Sequence, residues 1–334
     1  MVTAEQLEMA ATEVAASKLA QVIVKKQKSD GAWGANLLGL APSATAGIKD
    51  VGTIPQYRRL LQIGYPRLSR PFKLADRLLF RILSRDEDPS LLYEYQKAAK
   101  ANPQYTEWFR DNLREAATCA LAEAGYQEDP RIRGSAHKIA SSVSAFLRSP
   151  LAEKPLIKHS SGMILNPEAH PPTWYALAMV AVMPNLQRER AGFIERLGQY
   201  LAQPSPKKSY SIKLGKKTIK PEAVLLGCPI EADSKGGCKD IPLALHFADL
   251  LTQIGALHSS PVTIRVLSRL YSECDERGVW HPSNLRSVPK GIHRITGHTF
   301  PLHDATSGPD GKAVDVTLRL AVLAKRAGMA IEVT

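Results

Sequence analysis

The sequence predicts an almost entirely α-helical protein, about six helical hairpins closed into a ring. One domain spans residues 1–334, with a small basic β-hairpin inserted at 207–220. Three observations carry this. Apolar residues recur at helical spacing along most of the chain. Pro and Gly cut it into about a dozen helical segments. Neighbouring segments alternate between apolar all round and half charged, as expected of inner and outer helices in stacked hairpins.

The first segment places Leu7, Ala10, Ala11, Val14, Leu19, Val22 and Ile23 in one stripe, with Lys25 and Lys26 in the last turn, where the helix dipole favours cations. Gly31 and Gly34 end it. Helices follow at 54–63 and 68–84, separated by Gly64 and Pro66. Pro89 and Pro103 suit the first turns of the next two, the second running to Ala124 and closed by Gly125,. Another covers 131–147. The apolar segment Trp174 to Met183 contrasts with Leu186 to Leu201, which carries Arg188, Glu189, Glu195 and Arg196. Segments 240–254, 261–274 and 312–327 complete the set, and 39–52 and 279–311 read as long loops.

Residues 209–220 break the pattern. Their apolar and polar positions alternate around Gly215, which predicts a β-hairpin projecting from the helical body,. The hairpin carries Lys207, Lys208, Lys213, Lys216, Lys217 and Lys220, the one dense cluster behind a net charge of +12. Such a cluster can attract nucleic acid or an acidic partner, or simply remain a solvated loop.

Cys119, Cys228, Cys238 and Cys274 are scattered without a CxxC pair, which fits reduced thiols in a reducing compartment. The N-terminus has no basic region followed by an apolar stretch, and Trp174 to Met183, the longest apolar run, is about half of what spans a bilayer,. A cytoplasmic protein is expected.

The most specific local signal is Gln27-Lys28-Ser29-Asp30-Gly31-Ala32-Trp33-Gly34, directly after a helix, echoed by Cys274 to Trp280 with Gly278 and Trp280 in place. The glycine permits the positive φ that ends a helix, the tryptophan can lie over the hairpin end, and the glutamine can satisfy backbone groups of a neighbouring helix end. The pattern resembles the QW repeat of the terpenoid cyclase and protein prenyltransferase superfamily, whose members are α/α toroids. The first copy matches over about eight residues; the second has Cys274 where glutamine is expected.

The resemblance implies two chemistries. Cyclases of this kind protonate an alkene with a DxDD acid. The chain has no DxDD, and its nearest acidic cluster is Asp86, Glu87 and Asp88, one of which could act as a general acid, the simpler reading being a helix-start cluster before Pro89,. Prenyltransferases hold zinc with Asp, Cys and His. The nearest elements here are Cys238 and Asp240, in reversed order, with His298 downstream,. Asp240 alone also reads as an N-cap.

The resemblance further implies an isoprenoid or other apolar ligand in the central cavity, lined by Trp174, Tyr175, Met179 and Met183,. His281, His293, His298 and His303, with Arg286, Lys290 and Arg294, lie in a basic loop able to bind an anion such as diphosphate or nucleic-acid phosphate, the plainer reading being histidines that are solvated or hydrogen-bonded to backbone. The alternative is a non-enzymatic scaffold that binds nucleic acid or an acidic protein through its basic loops. No GxGxxG, P-loop, HExxH or GxSxG motif occurs,.

Overall fold

Helix boundaries in the computed structural model fall largely at the prolines, glycines and capping residues of the sequence. It describes residues 3–39, 51–84, 88–159, 162–281, 288–289, 291–293, 295–302 and 310–329. These gather into two compact units. The first comprises Met1–Met183, Lys208–Val224 and Ile292–His298; the second comprises Pro184–Lys207, Leu225–Gly291 and Thr299–Thr334.

The first unit contains α1 (Ala4–Ala16), α2 (Lys18–Lys25), α3 (Thr53–Gln62), α4 (Arg70–Ser84), α5 (Gln96–Ala101), α6 (Thr106–Glu123), α7 (Pro130–Leu147) and α8 (Trp174–Ala181). The single N-terminal stripe is in fact two helices. Ser17 takes an extended ψ of 143°, ends α1 and caps α2 through its hydroxyl,. The core is built on α6, whose second half, Ala116 to Ala122, is buried on every side. Its alanines let α4, α7 and α8 approach closely,.

Two polar networks cross this core. Arg58 of α3, 1% exposed, donates from Nε and Nη2 to the two carboxylate oxygens of Glu123, each at 2.6 Å. Asp76 of α4 accepts from Tyr57 at 2.6 Å, from Tyr126 at 2.8 Å and from Arg67. The Arg67 guanidinium lies over the Phe72 and Tyr126 rings. Such fork-shaped pairing satisfies buried charge that would otherwise be costly.

The expectation of an all-α ring is corrected by a four-stranded mixed sheet in this unit. Strands β1 (Leu156–His159), β2 (Gly162–Leu165), β3 (Tyr210–Leu214) and β4 (Lys217–Ile219) lie in that order. β1 and β2 are antiparallel, β2 and β3 parallel, β3 and β4 antiparallel. The chain is mostly helical with a sheet, and the described residues show no toroid. Nor is the basic hairpin a free projection. β2 pairs with β3 at Met163–Tyr210 and Ile164–Ser211, because a two-stranded ribbon gains stability by adding neighbours. Its turn is pinned where the Gly215 N–H donates to the Tyr105 hydroxyl at 2.8 Å.

The second unit contains α9 (Pro184–Glu189), α10 (Ala191–Ala202), α11 (Ile241–Gln253), α12 (Pro261–Ser272) and α13 (Asp310–Arg326). α11 is its buried helix, with Leu245, Phe247, Ala248 and Leu251 sealed. α13 packs against it through a face that includes Val316, Leu320 and Leu323.

The residues Gln27, Gly31, Trp33, Gly278 and Trp280 build two copies of one closed turn, and the structure contains a third. Positions one and seven bridge at Gln27–Trp33, Ala232–Cys238 and Cys274–Trp280. In each, the N–H of position two donates to the carbonyl of position six at 2.9 Å (Lys28 to Ala32, Asp233 to Gly237, Asp275 to Val279). Position five is Gly31, Gly236 or Gly278, with φ of 93°, 83° and 75°. Gly31 and Gly236 also back onto helix carbonyls. A Cβ would lie 2.4 Å from the oxygen of Leu74 in the first and of Arg265 in the second. Trp33 and Trp280 are sealed, and their backbone N–H groups donate to Thr53 and Thr317 hydroxyls, each at 3.0 Å. The Gln27 side chain donates to the carbonyl of Pro71 in the first turn of α4 at 2.9 Å.

Candidate functional site

A cleft of about 250 Å³ opens in the first unit. One face of α6 contributes Trp108, Asp111, Asn112 and Glu115; one face of α7 contributes Ser135, Lys138, Ile139 and Ser142. These spacings of three and four put each set on a single helical stripe. The sheet closes the other side with Leu165, Ile212 and Ile219, and residues 220–224 follow. Ile212 and Ile219 are direct cross-strand partners, so one face of the hairpin turns both isoleucines toward the cleft,. The segment after the hairpin is tied to the start of α8, where the Trp174 N–H donates to the Ala223 carbonyl at 2.9 Å.

Glu115 is the chemically distinctive group. Its Oε1 accepts from the Thr173 hydroxyl at 2.8 Å, while the Thr173 oxygen accepts from the Ala176 N–H at 3.0 Å and so caps α8. Protein surrounds Glu115 on most sides, yet it keeps some exposure because it lines the cleft. Burial pushes its carboxyl up to about 7. The Thr173 hydrogen bond opposes that rise and the charge of Asp111 adds to it,. A carboxyl of this kind exchanges protons near neutrality, the property needed of a general acid or base and of a proton-linked binding site.

The other acids of the cleft are paired. Asp111 lies 3.2 Å from Arg114 Nη1 and 3.8 Å from Lys138 Nζ, and Glu222 lies 3.7 Å from Lys220 Nζ. Trp108 and Tyr95 add aromatic surface, their rings set edge-on with centroids 6.3 Å apart. Burial also holds the Tyr95 phenol in its protonated form.

None of the described residues singled out as candidate site residues from sequence lines this cleft. Asp86, Glu87, Arg286, Lys290, Arg294 and His303 fall outside the described residues. Asp88 caps the turn of 3-10 helix at Pro89–Tyr95, accepting from the Ser90 N–H at 2.9 Å. Trp174, Tyr175 and Met179 are buried in α8 and do not line the cleft. The Tyr175 hydroxyl has no hydrogen-bond partner among the described residues. His293 and His298 stack with centroids 5.2 Å apart, the Thr296 hydroxyl lying 2.9 and 2.6 Å from their Nδ1 atoms.

Cys238 closes the middle turn, and Asp240 caps α11 by accepting from the Leu243 N–H at 3.0 Å. Among the described residues no three His, Cys, Asp or Glu side chains gather as metal ligands. No helix among those residues is long and apolar enough to cross a membrane.

Glu115 and Thr173 were not picked out from sequence, although a signal exists. Along α6, Glu115 shares a face with Cys119 and Ala122, both sealed, so a charge stands at the head of a buried stripe. Comparison with family models, with curated proteins and with solved structures finds no significant match to this chain.

Proposed function

We propose that the chain is a small-molecule-binding protein whose site is the cleft between α6, α7 and the sheet. The observation that carries this is the convergence, in one cavity, of the Glu115–Thr173 pair, two aromatic rings and an aliphatic wall. Ligand pockets typically combine a mostly apolar lining with a few placed polar groups. The apolar ligand implied by the family resemblance is compatible with Ile139, Val143, Leu165, Ile212 and Ile219, but the polar floor favours a molecule with a polar end over a pure hydrocarbon,. Glu115 would make the polar contact and can pass a proton to or from the bound molecule.

A fragment screen by thermal shift tests the reading. Molecules with one ring and one polar group should raise the melting temperature of the wild type. A ligand at a hundred times its Kd adds about 2.7 kcal/mol. Ser142→Trp, which adds bulk at an exposed lining position, should abolish the shift. Hits that stabilise both proteins equally would place binding outside the cleft and end this proposal.

A polyanion-binding surface is a second reading. It is favoured by the exposure of all six lysines, Lys207, Lys208, Lys213, Lys216, Lys217 and Lys220. Retention on heparin that weakens steeply with salt would support it. Elution at low salt, unchanged when Lys213, Lys216 and Lys217 become Gln, would reject it.

A further inference from the structure

Three acids line the cleft, and two already have their cations. Asp111 faces Arg114 and Lys138; Glu222 faces Lys220. Glu115 does not. Its carboxyl holds one hydrogen bond, from the neutral hydroxyl of Thr173, and no Lys, Arg or His reaches it among the described residues. A carboxylate withdrawn from bulk water is stable when a cation replaces the lost hydration and is otherwise driven to keep its proton.

The basic groups that line the same cleft are Arg114 and Lys138, which face Asp111, Lys220, which faces Glu222, and His170, so a cation for Glu115 is to be supplied from outside the chain. The rings of Trp108 and Tyr95 line the same cavity, and aromatic faces attract ammonium and guanidinium groups through their quadrupole. Ile139, Val143 and Ile212 offer hydrocarbon surface beside them. A cavity of about 150 Å³ is known to hold benzene; this one, at about 250 Å³, is large enough for a ring with a short side arm.

We infer that the ligand of this cleft is an organic ammonium ion with a compact apolar body, its nitrogen seated against Glu115. The inference rests on the small-molecule reading above and names the ligand class. No covalent bond is made. An ammonium ligand forms an N–H···O⁻ pair with Glu115, and the carboxyl proton leaves to solvent. An amine that arrives uncharged takes that proton itself and releases none. Ion pairing of this kind is stronger than a neutral hydrogen bond.

The test is calorimetric titration of the full chain at pH 7 with three probes: 2-phenylethylamine, 2-phenylethanol and 3-phenylpropionate. Each runs in phosphate and in Tris buffer, whose ionisation heats differ. The amine should bind at least tenfold more tightly than the alcohol and the propionate most weakly, and the buffer comparison should show proton release on amine binding and none on alcohol binding. In Glu115→Gln the amine should fall to the affinity of the alcohol, and the buffer dependence should vanish.

Equal affinities for amine and alcohol, or a preference that survives Glu115→Gln, would overturn the ammonium assignment and leave the cleft reading intact. Amine binding that survives Ser142→Trp would overturn it by placing the site elsewhere. Absence of binding by all three probes at millimolar concentration would overturn both.

Discussion

Replacing Glu115 by Gln gives the sharpest test of the cleft electrostatics, because the amide has the shape of the protonated acid and cannot ionise. In the folded protein the carboxyl titrates at about 7, against an ordinary value of 4.5. That difference corresponds to about 3 kcal/mol of preference for the protonated form, an upper figure because water in the cleft screens part of it.

The sign follows from proton counting. Below about pH 4.5 folded and unfolded chains both hold the proton, and the residue is neutral to stability. Between 4.5 and 7 the unfolded chain loses its proton while the folded one keeps it, so stability falls as pH rises. Above 7 both are ionised and the deficit stays constant. Urea denaturation of wild type and Glu115→Gln at intervals from pH 4.5 to 8 isolates the term, since all other groups cancel in the difference. The variant should gain on the wild type by about 2–3 kcal/mol across this window. Parallel curves, or a gain confined to the acid side, would refute the assignment of Glu115 as a carboxyl made reluctant to ionise by burial.

Other outcomes follow from the same structure. Thr173→Val removes the bond that favours the ionised carboxyl, so the Glu115 side-chain resonance should titrate above 7, and loss of the α8 cap should cost about 1 kcal/mol,. Gly31→Ala and Gly236→Ala combine a positive φ with a clash against a helix carbonyl and should each cost roughly 2–3 kcal/mol by denaturation,. Gly278→Ala, with nothing within 4 Å of the new Cβ, should cost only the conformational strain, about 1 kcal/mol. Arg58→Met should cost about 3–5 kcal/mol by stranding Glu123, and adding Glu123→Leu should recover much of that,. Equal losses in the single and double variants would show that the pair is not coupled.

Helices with strong periodicity or proline starts were legible in the sequence. Pro103 marks the approach to α6, the helical periodicity over 131–147 marks α7, and the apolar run at Trp174 marks α8. The hairpin at Tyr210 to Ile219 was legible because its turn contains Gly215 between alternating residues. β1 was not, since its two central residues, Ile157 and Lys158, are both exposed and leave no period of two,. The third closed turn escaped because Cys238 stands where the others have tryptophan, which leaves the glycine at position five as the shared residue type and backbone geometry as the main relation. The cleft escaped for another reason. Glu115 and Thr173 are 58 residues apart, and neither belongs to a catalytic motif. What distinguishes them is the desolvation that packing imposes, of which the local sequence records only a carboxyl at the head of an apolar stripe with Cys119 and Ala122.

A single hydroxyl at Thr173 begins α8 with its oxygen and restrains Glu115 with its hydrogen. The start of that helix and the acid–base state of the cavity therefore share one hydroxyl group. Fraying of the first turn, detectable as faster deuterium uptake at the Ala176 amide, would free the carboxyl to swing. Conversely, a molecule that draws the negative charge into place would slow that exchange. Occupancy can thus be followed at a backbone position that the bound molecule need not touch.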